Sequence, residues 1–316
     1  MKRIFFTVFV LGLTLPVSGQ IKMFINKFDG TSDSLLLSDF KSFTFKTAAS
    51  TPKDMIEVVG GTFQMGGPNG NADELPVHSV TLHGFYIDKT EITYEKWTEV
   101  HDWAIAHGYD NLAAGVNGYN ATTSNNPVVS VSWYEVMKWC NARSEKEGLT
   151  PVYYTDGTQT VVMRTVVLSD YPVSAVKWTA NGYRMPTEAE WEFAARGGTK
   201  SMGYVYSGSN VVDDVSWYAS NTSGIKTMPV ATKLPNELGI YDMSGNVWEW
   251  CWDWYGPYSA SAQTDPKGPQ SGTLIVLRGG ALNGYASDCR VTRRFSSVQF
   301  PLINNVVYIG VRCVRY

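Results

Sequence analysis

Four cysteines, Cys140, Cys251, Cys289 and Cys313, hold most of the reactive chemistry in this 316-residue chain. A thiolate is a nucleophile, a soft-metal ligand or half of a redox pair, and two thiols in an oxidising compartment become a covalent staple. Sequence alone leaves three pairings open. A second constellation is the segment from Asp242 to Glu249, where a tight turn built around Gly245 alternates side-chain and backbone oxygens, as calcium loops do. A third is Ser287-Asp288-Cys289-Arg290 with Arg293 and Arg294, whose guanidinium forks either grip a ligand carboxylate or sulfate or bridge loop carbonyls. Trp248, Trp250, Trp252 and Trp254 alternate at period two and share one face of a strand. That face is core by default or, where exposed, a stacking platform for a ligand. The four histidines add no metal pair, because His78 and His83, and His101 and His107, are spaced five and six apart and do not share one helical turn.

Turns, more than long regular elements, must position these side chains. Gly60-Gly61, Gly66-Gly67-Pro68, Gly197-Gly198 and Gly279-Gly280 punctuate short apolar strands. Two helices carry capping boxes. Ser132 with Glu135 opens a run to Glu147 that sets Val136, Trp139, Cys140 and Arg143 on roughly one face, and Thr187 with Glu190 opens a run through Ala195 that stops at Gly197. A third helix is expected from Thr93 through Val100.

Lys2 and Arg3 followed by the apolar run Ile4 to Leu15 and the small-residue exit Val17-Ser18-Gly19 read as a signal peptide over residues 1–19, which predicts a secreted or periplasmic protein. The apolar run is too short to span a bilayer, and no later segment is long enough, so no transmembrane anchor is expected after its removal. Lys22 to Phe28, the turn Asp29-Gly30 and Ser34 to Phe45 form a β appendage, and Ala48 to Pro52 a linker, which divides the rest into residues 20–50 and 51–316. At 44% apolar and 13% aromatic residues the chain as a whole has ample material for a core. The formal charge of -3, with no basic stripe, argues against a nucleic-acid partner.

The block Tyr183-Arg184-Met185-Pro186-Thr187-Glu188-Ala189-Glu190-Trp191-Glu192-Phe193-Ala194-Ala195-Arg196-Gly197-Gly198 does not stand alone. Before it come Gly60-Gly61-Thr62-Phe63-Gln64-Met65-Gly66, Glu74-Leu75-Pro76-Val77-His78, the run Phe85 to Thr93 and Asn126-Pro127-Val128-Val129. Gly239 to Trp250, Leu277-Arg278-Gly279-Gly280 and Ile309-Gly310-Val311-Arg312 follow it. In this order, from about residue 54 to 316, the blocks resemble the formylglycine-generating enzymes, the sulfatase-modifying-factor family. The resemblance implies an α+β, loop-rich fold with a C-type-lectin-like core and little regular secondary structure, here preceded by the short β appendage.

The resemblance also implies chemistry. The family's oxidase converts a cysteine of a client sulfatase to formylglycine with oxygen, holding copper(I) between two cysteines just after the Gly-Gly motif, where two thiolates suit a soft ion. Here the first of those positions falls on Gly284 and only the second remains, as Cys289, while the active-site serine falls on Ala281. Matching the family's calcium loop points to Asp242 and Glu249 through side chains and to Gly245 and Val247 through backbone. The alternative is that Glu249 pairs with an arginine in an aromatic core. A second family calcium site near Asn221 is shortened here and is not carried over. Cys140 and Cys313 match positions the family joins by a disulfide. Cys251 and Cys289 are left over, as a second staple or as a relocated dithiol that binds copper or cycles between redox states.

The expected function is therefore a divergent, secreted family member that binds a protein, peptide or small-molecule ligand or tailors one without thiol chemistry, with Arg290, Arg293 and Trp248 as candidate ligand contacts. The alternative is a formylglycine-generating oxidase that uses Cys289 with Cys251, copper and oxygen.

Overall fold

The computed structural model describes residues 22–26, 32–36, 51–165, 171–299 and 308–316. The expected leader, the turn Asp29-Gly30, the continuation of the appendage to Phe45 and most of the linker lie outside the described residues. The chain separates into two compact units, Met1–Ser50 and Thr51–Tyr316. In the first, β1 (Lys22–Asn26) and β2 (Ser32–Leu36) pair antiparallel with Phe24 opposite Ser34.

The second unit strings short elements between glycine turns. In chain order its strands and helices begin with β3 (Met55–Val58), β4 (Gly61–Met65), β5 (His78–Leu82), β6 (Phe85–Asp88), α1 (Tyr94–Ile105), β7 (Val116–Asn117), β8 (Val128–Val129) and α2 (Trp133–Lys146). They continue with α3 (Glu188–Ala195), α4 (Val212–Val215), α5 (Ala219–Thr222), β9 (Trp248–Trp254), β10 (Gln263–Thr264), β11 (Ile275–Arg278), β12 (Phe295–Ser297), β13 (Ile309–Gly310) and β14 (Val314–Arg315). The sheets run β14-β6-β3, β10-β5-β4 and β12-β11-β9-β13, with β13 parallel to β9, so strands from both ends of the sequence pair in the first and residues far apart in sequence meet in all three.

Both expected capping boxes form: Ser132 accepts from Glu135 N and Thr187 from Glu190 N, satisfying helix-end donors that would otherwise be orphaned. Gly197 ends α3 with φ 89, a left-handed conformation that costs glycine little. Thr93 caps α1 as expected, but the helix runs to Ile105 and not Val100. Trp97, Val100 and Ala104 continue its buried stripe, while His101 and Asp102, polar enough to suggest an end, fall on the outer side. Trp97 then stacks on Trp139 of α2 at 5.2 Å.

Strand β9 organises the interior. Trp250, Trp252 and Trp254 point together into one apolar cluster with Trp133, Tyr153 and Tyr171, the rings of Trp133 and Trp252 standing 5.2 Å apart. Rings of this size each remove roughly 150–250 Å² from water, several kcal/mol of gross transfer free energy apiece. Their indole N–H groups find partners: Trp250 donates to Val131 O and Trp133 to Cys251 O. The opposite face of β9 sends Glu249, Cys251 and Asp253 toward α3, where Ala189, Trp191 and Phe193 build a second cluster. Among the described residues no helix is long and apolar enough to cross a membrane.

Candidate functional site

The loop after Gly279-Gly280 is the segment that the sequence marked for chemistry. Gly280 has φ 82, and a Cβ there would stand 2.9 Å from Asp288 O and 3.0 Å from Cys289 Sγ, so glycine lets the loop close against the turn Ala286–Cys289. Cys289 is buried, with its Sγ donating to Tyr285 O at 3.6 Å. Burial pushes its thiol up to about 12, with Ser216 pulling down and Asp288 adding to the rise, so little thiolate exists at neutral pH. Gly284 lies outside the left-handed region, and a Cβ there would meet Ala281 O and Asp288 Oδ2 at 3.2 Å each. Ala281 is buried, and Tyr285 beside it is 78% exposed.

All four cysteines are buried free thiols in this structure. Burial and the nearby carboxyls of Asp253 and Glu188 push the Cys251 thiol well above the usual range, whereas Ser216 and Asp288 act on Cys289, so different groups surround the two sulfurs. Cys140 and Cys313, by contrast, are brought together with their sulfurs 3.5 Å apart.

The arginines near the cleft are all engaged within the chain. Arg290 holds Glu74 through two hydrogen bonds of 2.8 and 2.6 Å, Arg293 donates to Asp288 at 3.2 Å, and Arg294 clamps Glu188 at 2.7 and 2.8 Å. These bonds join the loops that carry the arginines to the segments that carry the carboxylates. Trp248, half-buried, stacks on the exposed Phe295 at 5.1 Å, with Arg293 6.0 Å from that ring, and so presents an aromatic ledge beside the loop.

The oxygen-rich turn is as tight as its glycine suggests: Asp242, Gly245 and Asn246 have φ of 58, 83 and 58. Asp242 Oδ2 accepts from Ala231 N at 2.7 Å. Glu249 accepts from Arg312 at 2.7 to 3.0 Å and from Trp191 Nε1 at 2.7 Å, the arginine pairing that was the alternative to a calcium role. Sequence reasoning missed a third carboxyl here. Glu91 accepts from Asn246 Nδ2 at 2.7 Å and from Val247 N at 3.2 Å, and burial together with Asp242 and Glu249 raises it well above the carboxylate range. Burial likewise lifts Asp242 to about 6. Three buried carboxyls thus lie near the Arg312 guanidinium, which of the three bonds only Glu249 and acts on Glu91 and Asp242 through its charge, so the turn gathers more carboxyls than cations. Among the described residues no three His, Cys, Asp or Glu side chains are arranged to hold a metal by themselves, so backbone carbonyls of the turn would have to complete such a shell.

Two cavities were not foreseen. One of about 550 Å³ opens beside Glu91, Asp88 and Arg143, and another of about 500 Å³ beside Glu188, Asp253 and His78. The one available signal was the period of β9, which puts Glu249, Cys251 and Asp253 opposite the tryptophans.

Loop-linked small sheets, capped α2 and α3, and a glycine-led loop define the α+β, loop-rich class built on the sulfatase-modifying fold. The chain belongs to the FGE-sulfatase family, with residues 41–316 matching its sulfatase-modifying factor enzyme 1-like domain. It is 37% identical to the chaperone protein LppX of Paenibacillus barcinonensis over 72% of this chain and 78% of that protein. It is 31% identical to the formylglycine-generating enzyme of Streptomyces coelicolor over 83% of this chain and 89% of that one. The solved structure of Treponema denticola variable protein 1 superposes with a TM-score of 0.66 at 31% identity, covering 83% of this chain and 94% of that one.

Proposed function

We propose that this chain is a secreted or periplasmic family member with a divergent active site, which binds a protein, peptide or small-molecule ligand, or tailors one, without thiol oxidation. The observation that carries the reading is the lone, buried Cys289 across from Gly284: copper(I) held by two thiolates needs a second sulfur that glycine does not offer. Ala281 lacks the hydroxyl of the family's serine, and the high thiol pKa works against nucleophilic use of Cys289. A relative named as a chaperone agrees with a protein-binding role. In this reading Asp242 and Glu249, with the backbone of Gly245 and Val247, hold calcium, which when bound supplies charge compensation and stiffens the turn. A Cys140–Cys313 disulfide ties α2 to the C-terminal segment.

The second reading, a formylglycine-generating oxidase, rests on the relatives that bear that name. The discriminating experiment gives the exported protein copper(I), oxygen and a cysteine-containing sulfatase-motif peptide, and follows oxygen uptake and aldehyde formation. No turnover, with no tight copper(I) binding in competition with a chelator, is expected. Turnover that disappears in Cys289→Ser would overturn the proposal in favour of the oxidase.

A further inference from the structure

The cavity of about 500 Å³ lies where the end of β9 meets the N-terminus of α3, and no residue of the Gly279–Cys289 loop lines it. Its volume is in the range of small-molecule sites. Its walls combine the apolar faces of Trp254 and Tyr258 with three ionisable groups, Glu188, Asp253 and His78, and the charge balance among these groups is incomplete.

Arg294 also borders the cavity but is fully occupied. Glu188 takes its Nε and Nη2, the carbonyls of Asp73 and Gly256 take its Nη1 at 2.9 and 3.0 Å, and Tyr258 covers its plane at 3.9 Å. Glu188 is thus paired with Arg294, and it also accepts from the Tyr258 hydroxyl at 3.2 Å and lies 3.5 Å from Arg278 Nη1. Asp253 has no such partner. It is 4% exposed, and its one hydrogen bond among the described residues is the 2.7 Å bond that Glu188 N donates to Oδ2. Gly268, with φ 69, packs its backbone against this side chain, so that a Cβ there would stand 2.9 Å from Oδ1, and Oδ1 itself accepts no hydrogen bond among the described residues. Lys267, the other cation at the rim, has its Nζ over the Trp178 ring at 4.4 Å.

His78 supplies a second acceptor. It is 3% exposed, and its Nδ1 stands 3.0 Å from Pro76 O. A carbonyl oxygen only accepts, so Nδ1 carries a proton there, and Nε2, which has no partner among the described residues, is left to face a ligand. Two acceptors without partners in one cavity, one of them on a carboxyl without its own cation, suit a ligand that donates and carries positive charge. Burial and the neighbouring Glu188 hold Asp253 well above the carboxylate range, so a bound cation would relieve a penalty already built into the fold.

We propose that this cavity binds a small primary amine, its ammonium group donating to Asp253 Oδ1 and His78 Nε2 while its hydrocarbon or aromatic body lies against Trp254 and Tyr258. The site is independent of the cleft after Gly279-Gly280, and the amine is bound, not transformed.

The test is calorimetric titration of the full exported chain with benzylamine, using benzyl alcohol as the uncharged probe of the same shape. Saturable one-site binding of benzylamine is expected, weakened about tenfold or more for benzyl alcohol and in Asp253→Asn, since a hydrogen bond to a charged group is worth about 1.5–3 kcal/mol. Asp253→Asn retains an oxygen for Glu188 N, and its melting curve checks the fold. Ser259→Trp, at an exposed rim position, blocks the mouth without touching the core and should also abolish binding. The proposal falls if benzylamine shows no saturable binding, if benzyl alcohol binds equally well, or if folded variants keep full affinity. It falls too if sodium or calcium, and not the amine, binds in a manner that depends on Asp253.

Discussion

The sulfurs of Cys140 on α2 and Cys313, one residue before β14, stand 3.5 Å apart inside the core, although 173 residues separate them in sequence. A small rotation of either side chain brings them to bonding distance, and an oxidising compartment supplies the driving force. Alkylation and mass spectrometry of the folded, exported protein should find Cys251 and Cys289 as free thiols and the other two joined. Cys140→Ser should lower stability by about 2–5 kcal/mol, because the closed loop is long. Two further unreactive thiols, with Cys251 bonded to Cys289, would contradict the separate surroundings of that pair.

Gly284 tests the reading of the cleft from the other direction. Its backbone is not left-handed, so cysteine is sterically admissible, with the Asp288 carboxylate and Ala281 carbonyl as the tight contacts. Gly284→Cys should fold with a penalty of roughly 1–3 kcal/mol and gain tight, one-to-one copper(I) binding that the parent lacks. Adding Ala281→Ser should restore the missing hydroxyl. Copper(I) affinity, measured by competition with a chromophoric chelator, decides the matter: equal affinity in parent and variant would mean that the parent already has a second soft ligand.

What could be read in advance was local. The capping boxes of α2 and α3, the tryptophan face of β9 and the tight turn at Gly245 depend on residues a few positions apart, and all are present. The partners of the charged groups are not local. Arg290 finds Glu74 across 216 residues and Arg294 finds Glu188 across 106, so the sequence could not name the carboxylates that these guanidinium forks hold. Glu91 and Asp253 were passed over for the same reason, since burial of an acid with too few cations nearby is a property of packing. The end of α1 falls at Ile105, beyond the expected Val100, because Ala104 continues the buried stripe of Trp97 and Val100 into the core.

The surplus of carboxyls around Arg312 predicts a calcium effect. Calcium should raise the melting temperature of the exported protein and a chelator should lower it, the stabilisation reaching about 2.7 kcal/mol at a hundred times the dissociation constant. Asp242→Ala should remove the shift while the protein still melts cooperatively. A melting temperature indifferent to both calcium and chelator would leave Glu249 solely as the partner of Arg312 and Trp191.

Glu192 at the centre of the second cluster should set part of the acid limit. Burial alone would raise its carboxyl, but Arg196 and Arg278 outweigh that and hold it below its ordinary value of 4.5. Arg278 donates to Oε2 at 2.5 Å, while Arg196 and Gly66 N donate to Oε1 at 2.9 Å each. A depressed folded value means that the unfolded chain takes up the proton first. The contribution of Glu192 is therefore fully present above the unfolded value and is lost as pH falls through the lower, folded one. Denaturation of the parent and of Glu192→Gln, compared from pH 7 downward, should show a loss of about 3–5 kcal/mol in the variant near neutrality, because two guanidiniums lose their buried partner. Raised acids such as Asp253 titrate with the opposite sign, but they are common to both proteins and cancel in the difference. The gap between the two curves should narrow only below pH 4.5, and a gap constant through that range would show that Glu192 is not ionised in the folded chain.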